Sequence, residues 1–238
     1  MASPMVFERY EIKYLLNREQ KNAVMAAMEK HMEPDSFGRS TIRNIYYDTD
    51  NFRLVRRSLE HPVYKEKLRV RSYHTAKPDD EVFVELKKKY NSVVYKRRTN
   101  MQEKDVADYL AGRIDAPRPC QITEEIDYFR QFYESLAPKV FLSYEREAFF
   151  EKDGGGFRVT FDENILWRTS DLSLETGVYG ENLLKSGQTL MEIKTPSGIP
   201  LWMVDVLTEQ GLRKTSFSKY GNAYMTMFAR EKGEEVYA

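Results

Sequence analysis

The chain has 238 residues, 41% of them hydrophobic and 31% charged, with 37 basic residues against 37 acidic ones. That is enough chain to bury a core, and a balance that gives no argument for a nucleic-acid partner or a membrane surface. The single cysteine, Cys120, excludes a disulfide framework and a thiolate metal cluster and fits a reducing compartment. The N-terminal stretch carries Glu8, Arg9, Glu11 and Lys13 where a signal peptide would be apolar, and no run approaches the roughly 20 apolar residues of a membrane span. A cytoplasmic location is the expectation.

Residues 7–14 alternate, with Tyr10, Ile12 and Tyr14 on one face and Arg9, Glu11 and Lys13 on the other, which predicts a strand. Asn17 with Gln20 forms a capping-box pattern ahead of the apolar stripe Val24, Met25 and Met28, a helix expected to run to Pro34. A second strand is expected at 41–48, a turn or cap at 48–51, and a short helix at 51–59 ending before Pro62. Three strands follow at 63–73, 81–90 and 93–101, the last two joined by the tight turn Asn91-Ser92. Helices are expected at 102–112 and 123–136, on either side of a break at Pro117 and Pro119. Strands resume at 139–151 and 157–162. Gly154, Gly155 and Gly156 between them read as a hairpin turn, because phosphate-binding glycine loops open a helix rather than a strand. A polar, irregular stretch at 172–186 precedes a last strand at 189–195, closing helices at 200–211 and 220–230, and a flexible tail at 231–238. No repeat or linker interrupts the chain, so the expectation is one α+β domain over residues 5–230 with about eight largely antiparallel strands.

The polar faces of these strands are unusually uniform. Side chains two apart share a face, so Lys65, Lys67, Arg69 and Arg71 project together, opposite Leu68 and Val70. Glu85, Lys87 and Lys89 line up on the next strand, and Lys96 and Arg98 on the one after it. Tyr144 with Arg146, Arg158 with Thr160 and Asp162, and Glu192 with Lys194 repeat the arrangement downstream. Solvation explains one such strand; it does not explain six. Eight strands closing into a barrel, with helices on the apolar outside, would turn this charge inward. Like charges gathered at low dielectric become tolerable when carboxylates, water and a bound polyanion compensate them. The expected fold is therefore a closed tunnel with a charged interior, and the expected ligand a polyphosphate or nucleoside triphosphate. Glu11, Glu85, Asp162 and Glu192 fall on the charged face and are candidates for holding a divalent cation against phosphate oxygens.

Absences narrow the chemistry. No GxxxxGK[ST] loop, GxGxxG turn, kinase motif set or GxSxG elbow occurs, and His31, His61 and His74 have no metal-binding spacing.

In chain order, Arg9-Tyr-Glu-Ile-Lys13, Leu68-Arg-Val-Arg71, Phe83-Val-Glu-Leu-Lys87, Tyr95-Lys-Arg-Arg98, Ser143-Tyr-Glu-Arg146, Leu190-Met-Glu-Ile-Lys194 and Phe217-Ser-Lys-Tyr220 resemble the VTC domain. This is the polyphosphate polymerase branch of the triphosphate tunnel metalloenzymes, and the resemblance runs from about Phe7 to Arg230. It implies transfer of the terminal phosphate of ATP to a growing inorganic polyphosphate chain, assisted by Mn²⁺ or Mg²⁺. It implies Arg69, Arg71, Lys87, Arg146 and Lys219 as the groups acting on the transferred phosphate. Arg9, Lys13, Lys96, Tyr144 and Lys194 would bind substrate, and Glu192 would hold the metal, with Glu11, Glu85 and Asp162 as weaker candidates. Arg9 stands where the wider superfamily opens with a glutamate, which favours the polymerase over hydrolases of inorganic triphosphate or nucleoside triphosphates. Ser216 stands where characterised polymerases carry a lysine, with Lys214 close by; a non-catalytic polyphosphate-binding module is the reading that this exchange suggests. The chain resembles the stand-alone bacterial form, without attached membrane domains, leaving room for a membrane-protein partner.

Overall fold

A computed structural model describes residues 10–91 and 93–231; Arg9, Ser92 and the expected tail beyond Glu231 lie outside them. The described residues form an α+β fold of ten strands and six helices built on one large antiparallel sheet. β1 (Tyr10–Leu16) is followed by α1 (Arg18–Met28), β2 (Met32–Pro34), β3 (Ser40–Asp48) and α2 (Arg53–Leu59). Next comes the meander of β4 (Tyr64–Ser72), β5 (Glu81–Tyr90) and β6 (Val93–Gln102). After α3 (Glu103–Leu110) and α4 (Gln121–Tyr133), the long strands β7 (Ala137–Glu151) and β8 (Arg158–Arg168) pair across the glycine turn. Gly154 and Gly156 there have φ of 74° and 82°, a backbone that side chains disfavour. β9 (Glu181–Asn182), β10 (Thr189–Thr195), α5 (Leu201–Glu209) and α6 (Lys219–Glu231) complete the fold.

The capping box forms as expected, with Gln20 N donating to Asn17 Oδ1 and Asn17 N to Gln20 Oε1. The helix it opens ends at Met28 rather than at Pro34, because Met32–Pro34 pairs with the end of β7 and buries Met32. β8 runs six residues past the expected Asp162, through a bulge where Asn164 takes a left-handed φ of 48°.

Strand order is β1-β10-β8-β7-β3-β4-β5-β6, and among the described residues no ladder joins β6 to β1. The expected barrel is thus not closed by backbone pairing. The free edge of β1 is used otherwise: Thr215 N donates to Lys13 O at 2.8 Å. The sheet still curls far enough for side chains to span the seam, since Lys87 on β5 reaches Glu11 on β1 at 3.1 Å.

Apolar positions sort the helices. Leu68, Val70, Val84 and Leu86 pack against Val106 and Tyr109 of α3 and Ile126 and Phe129 of α4. Tyr14, Leu16, Met191 and Ile193 pack against Val24 and Met28 of α1 and Met203 and Val206 of α5. These helices cover the outer face. α6 differs: its Tyr220, Ala223 and Tyr224 join Ile42, Tyr46 and Tyr144, side chains that also border the inner cavity. α6 therefore sits on the concave side, with Val55 of α2 in the same cluster.

Candidate functional site

The inner face encloses a cavity of about 1610 Å³. Twelve of its lining side chains are Lys or Arg and four are Asp or Glu, so a chain with no net charge has gathered a strongly basic interior. Period two does this. On β4 the odd positions Lys67, Arg69 and Arg71 point in while Leu68 and Val70 point to α3 and α4; β5 does the same with Lys87 against Leu86.

Of the residues expected to act on phosphate, Arg69, Arg71, Lys87, Arg146 and Lys219 all border the cavity. So do Lys13, Lys96, Tyr144 and Lys194. Arg9 lies outside the described residues. Glu11 and Glu192 border the cavity; Glu85 and Asp162, each fully buried, do not. Ser216 and Lys214 are exposed and lie away from the lining, whereas Ser218 is part of it.

Two carboxylate clusters organise the cations. In the first, Arg69 Nε donates to Glu85 Oε2 at 2.8 Å and Lys96 lies 2.6 Å from Glu85 Oε1, with Arg71 at 3.9 Å. Burial alone would raise the Glu85 pKa, but Arg69, Arg71 and Lys96 together hold it below the usual range. Against its own burial, Arg69 stays firmly protonated beside Tyr46 and Glu85. In the second cluster Arg146 clasps Asp162 with two bonds, Nε to Oδ1 at 2.6 Å and Nη2 to Oδ2 at 2.7 Å. Lys219 pairs with Asp162 and lies 3.2 Å from Glu192. Glu192 also faces Lys194 at 3.3 Å, Lys13 at 3.4 Å and Arg146 at 3.5 Å. Burial disfavours its charge, yet Lys219, Lys13, Lys194 and Arg146 keep it ionised well below the ordinary carboxylate range. Lys219, buried but flanked by Asp162 and Glu192, is correspondingly pushed up.

The two arginines of β4 are held by residues that sequence reasoning did not single out. Arg71 Nε donates to Asn44 Oδ1 at 2.9 Å and its Nη2 to the Tyr144 hydroxyl at 3.2 Å, while Asn44 Nδ2 donates to Leu142 O. Arg69 Nη1 donates to the Tyr46 hydroxyl at 3.0 Å. Asn44 pairs in register with Arg71, and Tyr46 with Arg69. The register is the missing signal: a polar residue in the middle of an apolar run, directly across from an inward arginine.

Burial and neighbouring cations shift two of the lysines downward. Lys67 donates to Ser218 Oγ at 3.0 Å; its burial, among Lys13, Lys87, Lys65 and Arg69, pushes its pKa down to about 7. Lys96 is lowered to about 8 by burial and by Arg69 and Arg71, although Glu85 opposes the shift. Burial would raise the Tyr144 phenol, but Arg71, Arg146 and Lys219 outweigh it and bring it down to about 8. Such a surface stores unfavourable charge that a multivalent anion would relieve. Guanidinium forks at Arg69, Arg71 and Arg146 can bind phosphate oxygens in pairs, and the lysines supply mobile point charges.

A family profile described as the VTC domain matches residues 8–228. Among solved structures, a candidate adenylate cyclase of Bacillus halodurans aligns at TM-score 0.53 and 13% identity, covering 89% of this chain and 96% of its own. A candidate adenylyl cyclase of Hippeastrum, described as having a dominant triphosphatase activity, aligns at TM-score 0.50 and 12% identity, covering 96% of each chain. At these identities the likeness is one of fold. No curated protein matches the chain.

Proposed function

The chain belongs to the VTC domain family, and from that premise we propose that it is a polyphosphate polymerase that moves the terminal phosphate of ATP onto a growing inorganic polyphosphate chain in the basic cavity. The observation that carries this reading is the arrangement of Arg69, Arg71, Lys87, Lys96, Arg146, Lys194 and Lys219 around one cavity, the three arginines pre-positioned by buried partners. Phosphoryl transfer spreads charge over the phosphoryl oxygens, so fixed cations contribute more than covalent chemistry does. Residues 5–230 act as one domain in this proposal.

Arg69 and Arg71 orient phosphates from β4, and Lys87 from β5. Arg146 and Lys219 stabilise the charge that develops on the transferred group, with Tyr144 donating a hydrogen bond. Lys13, Lys96 and Lys194 hold the rest of the polyanion, joined by Arg9. The attacking phosphate oxygen is already ionised at neutral pH, so no general base is required.

Among the described residues no three His, Cys, Asp or Glu side chains form a metal-binding group. Glu192, an ionised oxygen donor bordering the cavity, would hold a divalent cation there, with Glu11 in support. Bound there, Mg²⁺ or Mn²⁺ would neutralise phosphate charge as a Lewis acid. Glu85 and Asp162, enclosed by Arg69 and Lys96 or by Arg146 and Lys219, serve instead to fix those cations.

Incubation with ATP and Mn²⁺, followed by sizing of the products on a gel, tests the proposal. Long polyphosphate is the expected result; release of free phosphate alone assigns a triphosphatase, and tight anion binding without turnover assigns a binding module. No helix among the described residues is long and apolar enough to cross a membrane.

A further inference from the structure

The two ends of the charged strand face differ in chemistry. On β4 the inward series reads Lys65, Lys67, Arg69, Arg71 and, just past the strand, Tyr73; on the antiparallel β5 Phe83 pairs with Arg71, and Lys89 with Lys65. One end of the face is therefore lysine and the other aromatic. Tyr73 meets Phe83 edge-on at 5.7 Å between centroids, and the Arg98 guanidinium lies 4.1 Å from the Phe83 centroid. All three border the cavity, and Tyr73 keeps 43% of its surface exposed. Phe37, 81% exposed just before β3 begins, lies at this same end, because the start of β3 pairs with the last residues of β4.

Nothing in phosphate recognition calls for aromatic faces at the rim of a basic cavity. A base does: aromatic rings and guanidinium planes are the surfaces on which nucleobases stack, with little dependence on base identity. Same-face residues on a strand are about 7 Å apart, so Tyr73 stands one such step outside Arg71 and two outside Arg69. We infer that Tyr73, with Phe83 and Arg98, forms a nucleobase-stacking subsite at the rim of the cavity, so that a nucleoside triphosphate enters with its phosphates inward past Arg71 and its base at the rim. This inference rests on the proposed reading that the cavity takes such a triphosphate. It adds where the nucleoside sits, and it fixes which end of the cavity is left for the inorganic polymer: the end of Lys67.

Isothermal titration with the β,γ-imido analogue of ATP and, separately, with inorganic tripolyphosphate, both with Mg²⁺, tests it on the wild-type protein, Tyr73→Ala and Tyr73→Phe. The expected result is a ratio of analogue to tripolyphosphate affinity that falls on the order of tenfold in Tyr73→Ala and is kept in Tyr73→Phe, which retains the ring. An unchanged ratio in Tyr73→Ala overturns the subsite; so does an equal loss of both affinities, which would mean that Tyr73 acts through the fold. Tripolyphosphate that fails to bind wild-type protein removes the proposed function and this inference with it. Tripolyphosphate binding without a Tyr73-dependent ratio removes the inference alone.

Discussion

Glu85 on β5 and Glu192 on β10 are both inward-facing carboxylates ringed by cations, but only Glu192 borders the cavity. Glu85 has no exposed surface, and its oxygens are taken by Arg69 and Lys96, with Arg71 near. Glu192 keeps 5% of its surface exposed and shares its cations with Asp162, which already pairs with Arg146 and Lys219. In one cluster the carboxylate is, among the described residues, the sole counter-ion of three cations; in the other a second carboxylate carries part of that burden. The same residue type is thereby structural in the first place and available to a ligand in the second. Access to the cavity, rather than charge or burial, makes the difference.

The largest expected effect of breaking this contrast is on stability. Glu85→Gln leaves Arg69, Arg71 and Lys96 together without a counter-ion, and removing one partner of a buried ion pair costs about 3–5 kcal/mol. Urea denaturation measures the loss, and added tripolyphosphate should restore part of it by binding the folded state. A midpoint equal to wild type would show that the cluster is not structural. Glu192→Gln should behave oppositely, with a smaller stability loss because Asp162 remains, but with metal-dependent turnover lower by about a hundredfold. Titration of activity with Mn²⁺ checks it, and an unaltered metal dependence would detach Glu192 from the cation.

The smallest expected effect is a pH dependence from two lysines of the cavity lining. Lys67 titrates near 7 and Lys96 near 8, both below the ordinary lysine value chiefly through burial. At pH 8 Lys67 is largely neutral, and a bound polyanion should recharge it. Titrations in buffers of different ionisation enthalpy should therefore show proton uptake on tripolyphosphate binding, with affinity falling as pH rises from 7 to 9. The empty protein should follow the reverse course. From about pH 7 up to the unfolded lysine value the unfolded chain holds more protons at these sites, so their contribution to stability rises with pH. Binding without proton uptake at pH 8 would place Lys67 outside the anion's reach.

Much of the inner face was legible because it depends on local alternation. β5 and β10 occupy the residues expected of them, and the inward lysines and arginines of β4 follow from parity alone. What parity cannot supply is which edges pair. The expectation of a closed barrel failed at the seam, where β1 spends its free edge on Thr215 and the side chains of Glu11 and Lys87 meet across the gap. Pairing also hid the supports of the arginines, since Asn44 and Tyr46 have meaning only opposite Arg71 and Arg69. The end of α1 was obscured for a similar reason: Met32–Pro34 is a strand because β7 is there to receive it.

The joining of distant chain segments at β1 has a consequence for how the protein assembles. β1 pairs with β10, and Lys13 Nζ donates to Phe217 O across 204 residues of sequence. Contacts this non-local slow folding, because the loop must close before they can contribute. During synthesis the lysine- and arginine-bearing strands β4 to β6 emerge well before β10 and Lys219. The nascent chain therefore presents a hairpin stack richer in Lys and Arg than in Glu, whose inward cations have Glu85 and the earlier-made Glu11 as counter-ions, before β10 closes on β1. Cellular polyanions that gather on that stack could act as its temporary counter-ions, and the order of synthesis would then couple maturation of the fold to the kind of ligand proposed for the finished cavity.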